Sequence, residues 1–100
     1  MARLIPELEA YRERLEDRAS AWDESSDETL DADLARCEEQ VRLLERSMTH
    51  AGLVAEGLPR DVGPQRGDAL RKLEVLTQTR DLTAAYAHVL RGYRARRGSA

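Results

Sequence analysis

Apolar residues recur along the chain at intervals of three and four, the spacing that lays one stripe down the side of an α-helix. The first stripe is Leu4, Leu8, Tyr11, Leu15, Ala19 and Trp22, and it predicts a helix over 5–22. Pro6 suits the first turn, where its missing N–H leaves no bond unmade. Glu7 and Glu9 complement the positive end of the helix dipole. A second stripe is longer and more regular. Leu30, Leu34, Cys37, Val41, Leu44, Met48, Ala51 and Ala55 are spaced 4, 3, 4, 3, 4, 3, 4, an unbroken heptad seam. It predicts a helix over 26–55 that buries one narrow face, with Ser25 and Glu28 placed as a capping box.

The third helix is expected over 68–94, with Asp68 as its cap. Its apolar residues form two stripes rather than one. Leu73, Leu76, Thr83 and Leu90, with Arg80 and Ala87 between them, make the first; Val75, Leu82, Tyr86, Val89 and Tyr93 make the second. Two stripes make a wide apolar face, suited to a helix with two neighbours. Residues 56–67, EGLPRDVGPQRG, hold three glycines and two prolines and read as a long linker. The basic tail, residues 95–100, is expected to fray. The fold expected is therefore a single all-α domain, a three-helix antiparallel bundle with a long linker between its second and third helices.

Composition agrees with helices. Apolar residues make up 41% of the chain and charged ones 35%, with no Phe, three Tyr and one Trp. Leu and Ala dominate, and both lose little freedom in a helix. Net charge is −3, but it is unevenly placed: residues 1–39 carry 13 acids and 5 bases, and residues 40–100 carry 6 acids and 11 bases. Opposite charge at the two ends permits attraction within one chain or between two. A single cysteine, Cys37, excludes an intrachain disulfide. No apolar run approaches the roughly 20 residues that span a bilayer, and the first residues lack a signal-peptide core. A cytoplasmic protein without membrane contact is the expectation.

Candidate chemistry is sparse. The stretch AWDESSDETLDADL, residues 21–34, has six acids and no base. Counted as a calcium loop from Asp27, it places acids at several ligand positions, but Ala32 stands where the sharp turn needs Gly, and the seam already begins at Leu30. Neither His50 nor His88 has a Glu three residues before it, so no di-iron motif and no metal site is expected. Cys37 lies on the seam beside Glu38 and Glu39, which disfavour a thiolate. No phosphate loop, nucleophile elbow or dinucleotide fingerprint is present. These absences predict a protein that is not an enzyme and holds no cofactor.

Two binding modes remain. The seam predicts a protein–protein interaction module, an adaptor, chaperone or small inhibitor, that holds another protein or itself through Leu34, Val41, Leu44 and Met48, with Asp27, Asp31 and Asp33 as an acidic rim. In size and helix layout this expected fold resembles flagellar export chaperones, a likeness of layout carried by no motif. The alternative is nucleic acid, met by RGYRARR, in which Arg91, Arg94, Arg96 and Arg97 would neutralise phosphates and Tyr93 would stack on a base.

Overall fold

The structure is a computed structural model that describes residues 4–58 and 63–98. It is all-α, with three α-helices: α1 Glu9–Ser20, α2 Asp27–Gly57 and α3 Gly63–Gly98. One turn of 3-10 helix, Pro6–Leu8, leads into α1, and another, Trp22–Glu24, leaves it. The first expected helix is thus three short pieces. Pro6 opens the leading turn, and Ser25 and Ser26 both take extended backbone conformations that turn the chain towards α2.

The N-terminus of α2 is capped by Ser26 rather than Ser25. The Ser26 hydroxyl accepts from the Thr29 amide at 3.1 Å, while the Ser25 hydroxyl donates back to the Ala21 carbonyl at 2.8 Å. Glu28 therefore has no capping box to complete. Asp27 and Glu28 stand in the first turn, where the dipole favours them.

The expected linker is largely helical. α2 continues to Gly57 and α3 begins at Gly63, so Asp68 lies inside α3 instead of capping it. Pro64 falls in the first turn, where a proline costs the helix nothing. What remains of the linker between Leu58 and Gly63 lies outside the described residues. The tail also differs from expectation: α3 stays helical to Gly98, because Arg94 and Arg97 are tied to α2.

Ion pairs fix how α2 and α3 lie together. Asp27 meets Arg97, Asp31 meets Arg94, Glu38 meets Arg91 and Glu45 meets Arg80, so partner numbers fall along α3 as they rise along α2. Both helices are long, 31 and 36 residues, and the molecule extends 59 × 23 × 20 Å. α1, at 12 residues, is about 18 Å long by helix rise and lies along part of this pair. It runs the same way as α3: Ile5 N–H donates to Gln78 Oε1 at 2.7 Å, Tyr11 meets Thr83 at 2.6 Å, and Trp22 stacks on Tyr93 at 5.3 Å between ring centres.

The main core sits where all three helices meet. Leu15, Trp22, Leu30, Cys37, Tyr86, Ala87 and Leu90 are buried together there, with Leu34, Leu82 and Tyr93 packed at its edge. Thr83, fully buried, donates its hydroxyl proton to the Thr79 carbonyl at 2.8 Å. Tyr11 must then be the donor in its contact with Thr83, since the threonine has one proton to give. Ala51 and Ala55 are buried farther along α2, where small side chains let α3 approach.

Candidate partner-binding groove

A polar cluster inside the core holds α1 in place. Asp33 is 8% exposed and forms its centre. Arg18 of α1 donates to its Oδ1, and the Tyr86 hydroxyl of α3 donates to its Oδ2 at 2.5 Å. The same Tyr86 oxygen accepts from the Trp22 indole at 3.1 Å, and the Arg18 guanidinium lies 4.8 Å above the Tyr86 ring. Among the described residues no buried side-chain polar atom lacks a partner. A satisfied cluster of this kind orients three helices at once, since each contributes a group with fixed geometry.

Ionisation follows from the packing. Burial and the hydrogen bond to Asp33 push the Tyr86 phenol up to about 12. Burial resists charge on Arg18, but the Asp33 carboxylate and its hydrogen bond outweigh that and raise its pKa. Burial, then the Asp33 charge, raises the Cys37 thiol. Cys37 is thus a protonated core group. Its two acidic sequence neighbours are not the cause; burial and, after it, the carboxylate one turn earlier are.

With α1 locked at this height, a groove of about 240 Å³ is left between α1 and α3 on the side away from α2. Leu15, Ala19 and Trp22 line one wall, and Leu82, Ala85 and Val89 line the other. Arg12 and Glu16 stand on the α1 rim, in an exposed ion pair 3.7 Å apart. Val89 is 53% exposed, a large apolar side chain half in water. It belongs to a stripe on α3 of Leu82, Ala85, Val89, Gly92 and Arg96, spaced 3, 4, 3, 4. The outer side of α1 is acidic, with Glu9, Glu13 and Asp17 exposed at intervals of four.

The residues expected to form the interface are distributed otherwise. Leu34, Val41, Leu44 and Met48 are half-buried, between the buried seam residues Leu30, Cys37, Ala51 and Ala55. The seam faces the protein's own helices: Leu34 packs against the core, and Val41 faces Ala84 and Ala87 of α3. Asp33 is not part of an acidic rim. It points inward, because residues 30, 33 and 37 share the face that α1 covers. Asp27 and Asp31 are exposed, but both are engaged by Arg94, and Asp27 also by Arg97.

The basic run is likewise occupied. Arg91 pairs with Glu38, Tyr93 donates to Asp23 at 2.5 Å, and Arg97 also donates to the Trp22 carbonyl at 3.1 Å. Of this group, Arg91 and Arg96 are exposed. The acidic and basic halves of the chain neutralise one another along the α2–α3 contact.

The groove was readable only in fragments. Leu82 and Val89 stood in a predicted stripe, but Ala85, Gly92 and Arg96 did not extend it as an apolar signal. The spacing 82, 85, 89, 92, 96 was the available clue, masked by two small residues and a charge. Comparison of the chain with protein-family models, curated proteins and solved structures finds no match in any of the three.

Proposed function

We propose that this chain is a non-catalytic helical interaction module, an antiparallel three-helix bundle that takes a partner helix into the α1–α3 groove. The observation that supports this most is the half-exposed Val89 in a cavity walled by Leu15, Ala19, Leu82 and Ala85. A buried valine is worth about 1.5–3 kcal/mol relative to an exposed one, and a helix laid in the groove recovers much of that. The groove sits between two helices, so an amphipathic helix inserts apolar residues at three and four spacing. The acidic flank of α1, Glu9, Glu13 and Asp17, favours a partner whose adjoining flank is basic.

Further support comes from where the ionisable groups lie. The buried carboxylate, phenol and thiol are spent on one another inside the core. No described helix is long and apolar enough to cross a membrane. The test is an amide NMR titration with helical peptides carrying leucines at three and four spacing and either a basic or an acidic flank. Basic-flanked peptides are expected to shift Leu15, Leu82, Ala85 and Val89 selectively. Absence of binding by every peptide, with the protein folded and monomeric, would reject the groove as a docking site.

A further inference from the structure

We infer that the groove is closed by a second copy of this chain, with two α3 helices pairing antiparallel about a two-fold axis beside Ala85 and Val89. The inference rests on the interaction reading above and names its partner. The first argument is charge. A two-fold axis reverses the direction of α1, so Arg12 of one protomer comes level with Glu16 of the other, and Glu16 with Arg12. The rim therefore complements itself, as an isologous interface requires. These two side chains pair within the chain at 3.7 Å and are both largely in water, free to exchange partners.

The second argument is register. For Arg12 to face the partner's Glu16, the axis must pass level with residue 14. For Ala85 to face the partner's Val89, it must pass level with residue 87. Those heights agree in this fold to within about one residue, roughly 1.5 Å of helix rise. α1 and α3 run side by side in one direction, with Tyr11 against Thr83, Ile5 against Gln78 and Trp22 against Tyr93, so residue 14 of α1 lies beside Tyr86 of α3. One axis satisfies both the charged rim and the apolar floor. Ala85, two residues from that axis and opposite the partner's Val89, is small and exposed, which lets the two α3 backbones approach.

The third argument concerns Arg96, the last residue of the α3 stripe. In the same register its backbone falls one turn beyond the level of the partner's Glu9. Helical side chains lean towards their own N-terminus, so Arg96 leans back along its helix and Glu9 leans forward to meet it. The second copy thus supplies the basic flank that the acidic side of α1 favours. The product is a four-helix layer of α1 and α3 from each protomer, with Val89 of each filling the groove of the other.

The test uses the full chain in sedimentation equilibrium over a range of concentrations. The wild type should show twice the chain mass. Arg12→Glu and Glu16→Arg should each weaken the dimer by roughly tenfold or more, because each sets like charges across the axis. The double variant Arg12→Glu/Glu16→Arg should return to within about threefold of wild type, since the swap restores both the cross-axis and the in-helix pairs. Val89→Glu should give a monomer of unchanged helicity; if it fails to fold, Ala85→Glu, at a surface position, serves instead. A wild-type dimer whose affinity the double swap does not restore overturns the register. A monomeric wild type that still binds a basic-flanked peptide in the groove overturns self-pairing and leaves the groove reading standing. A monomer that binds none removes both.

Discussion

Replacing Tyr86 with Phe removes one oxygen that serves two partners. The phenol donates to Asp33 Oδ2 at 2.5 Å and accepts from the Trp22 indole at 3.1 Å. A hydrogen bond to a charged group contributes about 1.5–3 kcal/mol net, and an orphaned buried donor costs about 1–3 kcal/mol. The ring contacts survive in Phe, including the Trp22 ring at 5.4 Å and the Arg18 guanidinium at 4.8 Å. Arg18 still compensates the Asp33 charge, so the two losses do not add in full. The expected loss is about 2–4 kcal/mol, a large share of the roughly 5–15 kcal/mol that stabilises a domain. Urea unfolding measures it. Trp22, the one tryptophan, reports α1 docking by fluorescence, and far-ultraviolet dichroism reports α2 and α3. A midpoint shift worth less than about 0.5 kcal/mol would show that the cluster does not hold α1.

The same phenol gives a pH signature. Burial and Asp33 raise Tyr86 from 10 to about 12, so the folded state favours the protonated form. Its contribution is complete below pH 10, the unfolded value, and is lost as pH rises through about 12. Two units correspond to about 3 kcal/mol. Wild-type stability should therefore fall over this window by more than that of Tyr86→Phe. Parallel curves for the two proteins would refute the assignment.

Two smaller predictions concern α2. Ser26→Ala removes the cap on the Thr29 amide and should cost about 1 kcal/mol by urea unfolding, whereas Ser25→Ala should cost less, since Ser25 caps no amide. Cys37, 2% exposed and with its pKa raised by burial and Asp33, should react with a thiol reagent at pH 8 only after unfolding, at a rate that rises with urea; fast labelling of the native protein would contradict its placement.

The order of helices was legible in the spacing of Leu, Ala and Val, because a stripe at three and four states both the helix and the face it buries. The seam from Leu30 to Ala55 did predict α2, and the twin stripes of α3 did announce two neighbours. Breaks were harder to place. Gly and Pro between 57 and 67 suggested a long linker, but a proline in a first turn is compatible with helix, so α3 takes up its last five residues, 63–67. The fate of the charges was not legible. Asp33 and Asp31 look alike in sequence, yet one is buried against Arg18 and Tyr86 and the other is solvated beside Arg94. Two residues along a helix turn a side chain by about 200°, and only the position of α1 decides which of the two it covers. The groove is likewise a property of tertiary structure. Sequence set each apolar stripe, but the height at which the Arg18–Asp33–Tyr86 cluster locks α1 against α3 determines which residues remain open. That lock depends on contacts 15 and 53 residues apart in the chain, beyond the reach of any local pattern.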